Sequence, residues 1–131
     1  MIFVDSNVPM YLVGTPHPNK DRARVLLDEL ARSEARFVTD VEVYQEILHR
    51  YTAIRCPDGI DAAFACLDGI ADKTLTFGMA EIRAARAILE SVHGISARDA
   101  LHVAVMRVAG VSRILTFDRG FDACPGIERL S

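Results

Sequence analysis

The chain has 131 residues, 50% hydrophobic and 25% charged, with a net charge of −3. That size and composition give one domain, 1–131, with a real core; they exclude a disordered chain, and no run approaches the roughly 18 apolar residues of a membrane span. A negative net charge offers nucleic acid no bulk attraction, so an anionic substrate would need clustered arginine and lysine or a bound metal.

The N-terminal residues Met1, Ile2, Phe3 and Val4 form a short apolar run that stops at Asp5-Ser6-Asn7. Such a run reads as a strand buried on both faces, not as a secretory leader. An apolar segment, Val8 to Val13, ends at Gly14, and two prolines mark the loop Thr15 to Asn19. Ala23, Leu26, Leu27 and Leu30 recur at helical spacing, which predicts a helix over about 20–34. A second strand is expected over Arg36 to Thr39, and Thr39 with Glu42 fits a capping box opening the next helix. Its expected buried stripe is Tyr44, Ile47, Leu48 and Tyr51.

After the turn Cys56-Pro57-Asp58-Gly59, Ile60, Ala63, Phe64, Leu67 and Ile70 repeat the helical pattern. Thr74 to Phe77 is a third strand, and Ile82, Ala85, Leu89 and Val92 line a helix that stops at Gly94. Ser96 with Asp99 is a second capping box; the helix it opens runs to Ala109 and is apolar nearly all round, so it should be buried. Arg113 to Phe117 is the fourth strand, followed by Asp118, and Ile127 to Leu130 offers a fifth. Strands alternating with helices imply crossover connections, hence a mainly parallel sheet with helices on both faces. Cys56, Cys66 and Cys124 are odd in number and unrelated in spacing, as expected of reduced thiols in a cytoplasm.

Asp5 and Asp118 both follow strands and should share the carboxyl edge of the sheet, where open α/β folds build their sites. Asp99, in the first turn of a buried helix, should start near that edge too. Carboxylates brought together there would need a cation, and an all-oxygen donor set suits Mg²⁺ or Mn²⁺. Each residue also has a plain structural reading. Asp5 and Asp118 could be turn formers or caps, Asp99 could serve its capping box, and Glu46 could pair with Arg50 one helical turn on. His102 reads as a buried histidine satisfied by hydrogen bonds rather than as a general base.

Taken in order, Asp5-Ser6-Asn7, Glu46 within Tyr44 to Arg50, Ala97 to His102 and Leu115 to Phe121 resemble the signature segments of PIN domains. At this length the chain is similar to the VapC-type toxins of toxin–antitoxin pairs. The resemblance implies a three-layer α/β/α sandwich with four or five strands. It also implies a metal-binding and catalytic quartet of Asp5, Glu46, Asp99 and Asp118, with Asp122 as a candidate fifth acid. Ser6, Asn7 and Thr116 match the polar residues around such a site. The implied activity is a Mg²⁺- or Mn²⁺-dependent endoribonuclease, working through a metal-activated water, restrained by a cognate antitoxin and expected to be a homodimer. Lys20, Arg22, Arg98 and Arg119 are the basic residues expected to grip RNA.

Two other readings have recognisable requirements. A phosphatase using Asp5 as nucleophile wants a second aspartate at position 7, where this chain has Asn7; a receiver-type phosphoacceptor wants paired acids on the first strand end. A PIN-like scaffold without catalysis would be expected to have lost part of the quartet.

Overall fold

The computed structural model describes residues 1–131. The elements, in chain order, are β1 (Ile2–Val4), α1 (Asn7–Val13), α2 (Pro18–Arg32), β2 (Phe37–Asp40), α3 (Val41–Ala53) and α4 (Pro57–Ile70). There follow β3 (Lys73–Leu75), α5 (Met79–Ser91), α6 (Ala97–Val108), β4 (Arg113–Leu115), a 3₁₀ turn (Arg119–Ala123) and β5 (Glu128–Leu130). All five strands are parallel, in the order β3-β2-β1-β4-β5.

This order explains where a site can form. From β1 the chain winds outward through β2 to β3, then returns to place β4 and β5 on the other side. The winding direction therefore reverses between β1 and β4, and a crevice opens beyond their carboxyl ends. Asp5 follows β1 and Thr116 follows β4 at that crevice, held in register by the pairing Val4↔Leu115. Ile2, Phe3 and Val4 have no solvent exposure, so the central strand is covered on both faces. Helix α6 is buried from Ala100 through Met106, a stretch apolar at every position but His102, and packs against α5.

Local differences from the sequence reading have physical causes. Residues Val8 to Val13 belong to a short helix opened by Asn7, which turns the chain away from the sheet straight after Ser6. β3 ends at Leu75 and β4 at Leu115, two residues earlier than their β-forming composition suggests. Their ladders stop because β2 turns into α3 at Asp40 and β1 ends at Val4.

The cap of α3 is displaced by one residue. Asp40, not Thr39, is the N-cap, its Oδ1 accepting from the Val43 amide at 2.9 Å. Thr39 stays in the sheet, its hydroxyl donating to the Val4 carbonyl at 3.0 Å. The buried face of α3 is turned accordingly: Val43, Glu46 and Ile47 are buried, while Leu48 is exposed. Placing a glutamate rather than a leucine on the inner face is the fold's main departure from simple amphipathic patterning.

Candidate metal centre

Beyond the carboxyl ends of β1 and β4 lies a cleft of about 440 Å³, lined by Asp5, Ser6, Asn7, Glu46, Ser96, Ala97, Arg98, Asp99 and Asp118. Four carboxylates from four elements thus share one cavity. Asp5 is fixed most tightly. The Thr116 hydroxyl donates to its Oδ2 at 2.6 Å and the Ser6 amide to its Oδ1 at 2.7 Å. Thr116 in turn accepts from the Asn7 side-chain amide at 3.0 Å and from the Asp118 amide at 3.1 Å. One threonine hydroxyl therefore ties the ends of β1 and β4 together.

Asp118 caps the 3₁₀ turn, its Oδ1 accepting from the Gly120 amide at 2.8 Å. A Cβ at Gly120 would lie 3.2 Å from Asp118 Oδ1 and 3.6 Å from Asp99 Oδ2, so both carboxylates close over this glycine. The Ser96 hydroxyl accepts from the Asp99 amide at 3.1 Å, which caps α6. The Asp99 carboxylate turns instead toward Asp118, and only half of the expected capping box forms.

Glu46 does not pair with Arg50. Its Oε2 accepts from the Ser6 hydroxyl at 2.5 Å and its Oε1 from His102 Nε2 at 2.6 Å. The other ring nitrogen, His102 Nδ1, lies 2.7 Å from Asp40 Oδ2. His102 and Asp40 are both wholly buried. With a carboxylate oxygen on each ring nitrogen, the ring donates twice as an imidazolium. Burial opposes that charge, but the hydrogen bonds to Asp40 and Glu46 outweigh it and hold His102 well above the usual histidine range. His102 is thus the satisfied buried histidine the sequence suggested. Asp40 was missed; it is a third aspartate ending a strand, the same signal that marks Asp5 and Asp118.

The electrostatics of the cleft are strained. Burial, then the nearby Asp5 and Asp118, push the Asp99 carboxyl up to about 7. Burial and the charge of Glu46 raise Asp5 also, against the counter-pull of His102 and its hydrogen bonds. Asp5, Glu46 and His102 offer ligand atoms within 4.8 Å of one another. Both His102 nitrogens already carry protons given to carboxylates, so oxygen atoms make up the free donor set. Crowded, partly protonated carboxylates with only oxygen to offer fit a hard divalent cation. A cation held by this set would have to displace the Asp99 proton below about pH 7, which gives binding a pH dependence. Calorimetric Mg²⁺ titrations should show affinity rising from pH 6 to 8 and levelling above, with proton release confined to the lower range. A flat profile would contradict this arrangement.

The remaining expected residues separate clearly. Asp122 stays outside the cleft, held by Arg129 through bonds of 2.8 and 3.2 Å. Lys20 donates to the Gly14 carbonyl at 2.9 Å, within its own loop. Arg98 lies 3.7 Å from Glu42 and 3.9 Å from Glu46, on the cleft rim. Arg22 and Arg119 line a neighbouring pocket.

This fold, with acids gathered at the switch in strand order, defines the class: the PIN domain model matches residues 2–126, and the chain belongs to that family. Its relatives over the full length are VapC ribonucleases. It is 48% identical to ribonuclease VapC13 of Mycobacterium tuberculosis over 131 residues, all of both chains. It is 36% identical to VapC23 of the same species over 118 residues, 90% of this chain and 93% of the relative. Among solved structures, VapC20 of Mycobacterium tuberculosis superposes with a TM-score of 0.75 at 23% identity, covering 94% of each chain. VapBC2 from Rickettsia felis, bound to a promoter DNA fragment, gives 0.75 at 15% identity, covering 99% of this chain and 98% of that one. These two likenesses concern the fold. No helix of the chain is long and apolar enough to cross a membrane.

Proposed function

We propose that this protein is a metal-dependent endoribonuclease, with Mg²⁺ or Mn²⁺ as the ion, acting as the toxin of a toxin–antitoxin pair. The observation that carries the reading is the meeting of Asp5, Glu46, Asp99 and Asp118 in one cleft of a chain 48% identical to a named ribonuclease. These four residues would hold the ion and form the catalytic set. When bound, the cation supplies charge that shields the phosphate and lowers the pKa of a water.

The chain's own residues contribute positioning. Thr116, Asn7 and the Ser6 amide fix Asp5, and Ser6 with His102 fixes Glu46 from both sides. No side chain is set up as a nucleophile: the Ser6 hydroxyl is given to Glu46, and Ser96 accepts from the Asp99 amide. Water is then the attacking group, and the products should carry 5′-phosphate and 3′-hydroxyl ends. End analysis of a cleaved structured RNA tests this. Cyclic 2′,3′-phosphate ends would mean attack by the ribose hydroxyl and would overturn the mechanism.

The partner implied by the VapC likeness is a cognate antitoxin, and a homodimer is part of the same reading. Sedimentation of the separated toxin should show twice the chain mass; a monomer at high concentration removes that claim. An inactive PIN-like scaffold is disfavoured, since all four acids are present and face one cavity.

A further inference from the structure

Beside the acidic cleft lies a smaller pocket of about 310 Å³, lined by Asn19, Arg22, Phe117, Arg119, Arg129 and Ser131. The two cavities share a wall, because Phe117 and Arg119 line the pocket while Asp118 between them lines the cleft. We propose that this pocket is a nucleotide subsite, where arginines hold a phosphate of the RNA strand next to the one cut and Phe117 meets its base. The proposal rests on the ribonuclease reading and adds to it the direction in which the strand leaves the cleft, toward α2 and β5.

The arrangement of charge supports an anion here. The chain carries a net −3, yet three arginines from α2, the 3₁₀ turn and β5 converge on one small cavity. Arg129 is the fixed back wall, forked onto Asp122 and largely shielded, with its Nη1 3.5 Å from the Thr116 carbonyl. Arg119 forms no ion pair, and Arg22 is oriented by the backbone oxygen of Ser131 at 3.1 Å. Like charges gathered at the surface gain nothing for folding and create an anion-attracting potential. Guanidinium forks match phosphate oxygens in shape as well as charge.

The second component is aromatic. Half-buried Phe117 is held by the edge of Tyr11, ring centres 5.4 Å apart, and Tyr11 leans on His17 at 4.8 Å. A basic pocket beside an aromatic surface is the common means of holding an unpaired nucleotide. The reach is also right. From Thr116, which anchors Asp5, to Arg119 is three peptide steps, at most about 11 Å, so one strand can engage both cavities. The opposite rim offers less, since Arg98 is occupied by Glu42 and Glu46.

The test is fluorescence anisotropy in EDTA with a labelled single-stranded RNA of about a dozen nucleotides, a length within the range such grooves cover. The Arg22→Ala/Arg119→Ala double variant should bind at least about tenfold more weakly, with a salt slope shallower by about one unit. Its thermal melt and calorimetric Mg²⁺ affinity should match the wild type. Arg83→Ala/Arg86→Ala on α5 changes net charge equally and should bind as the wild type does. Equal weakening in both doubles, or none in either, overturns the subsite. So does unchanged RNA affinity with lost binding of an oligoglutamate peptide, which would assign the pocket to an acidic protein partner. If the wild type neither binds nor cuts RNA, the ribonuclease reading fails and takes the subsite with it; wild-type cleavage with an unaffected double variant defeats the subsite alone.

Discussion

Asp99→Asn is expected to cut RNA cleavage by at least a hundredfold while leaving the metal-free protein as stable as the wild type or more so. The bond that opens α6 runs from the Asp99 amide to the Ser96 hydroxyl and does not involve the Asp99 carboxylate. Asparagine keeps the shape and that bond. What it removes is a partly buried charge set against Asp5 and Asp118; burial first, then these two neighbours, push the Asp99 carboxyl up to about 7.

A carboxyl held above its ordinary 3.8 binds its proton more tightly in the folded chain than in the unfolded one. The contribution of this group to stability is therefore complete at low pH and is lost as pH rises from about 4 to 7. Asp99→Asn should flatten that decline in the metal-free protein. It should also lose most of the extra stability expected of the wild type when Mg²⁺ is added. For catalysis, the ion contributes several kcal/mol to phosphoryl transfer. At about 1.4 kcal/mol per decade, losing two to three of these gives the hundredfold drop. Thermal melts across pH, with and without Mg²⁺, check the first part. A variant that is less stable without metal, with its slope unchanged, would contradict the account.

His102→Ala is expected to be among the most damaging single changes to the fold, at about 3–5 kcal/mol in urea unfolding at pH 7. The wild-type ring is the positive centre between Asp40 and Glu46, at 2.7 and 2.6 Å, and wholly buried Asp40 loses its counter-charge once it is gone. Asp40→Asn should cost less, about 1–2 kcal/mol, because its one oxygen can keep the cap to the Val43 amide while its NH2 group donates to His102 Nδ1, which then accepts as part of a neutral ring. The sign in pH is opposite in origin to a paired acid. His102 is held above its ordinary range, so its contribution is complete at low pH and persists through neutrality. It fades only as pH climbs through the raised value. A His102→Ala variant within about 1 kcal/mol of the wild type would show that the ring carries no charge there.

The sequence revealed the topology through its punctuation more than through its propensities. β1 and β4 were visible because short apolar runs end abruptly in aspartate, and α6 because it is apolar on nearly every side. The strand ends at Leu75 and Leu115 were hidden, since they depend on where a neighbouring strand stops supplying hydrogen bonds. Asp5, Asp99 and Asp118 stood out by their places after strands and at a helix start, the family resemblance joined Glu46 to them, and all four line one cleft. The reason Glu46 can face inward was not legible. It depends on Asp40 and His102, 62 residues apart, and on Ser6, 40 residues from Glu46. A capping motif read one residue early concealed Asp40, because Thr39 and Asp40 are both good caps and only the register of β2 decides between them.

The central claim is that these carboxylates serve a divalent ion that makes the protein a ribonuclease. Its most direct test is the rate of cleavage of a structured RNA by EDTA-stripped wild-type protein, followed against added Mg²⁺ or Mn²⁺. The expected result is no cleavage in EDTA, a saturable rise with the ion, and at least a hundredfold lower plateau for Asp99→Asn. Cleavage that continues undiminished in EDTA would contradict it.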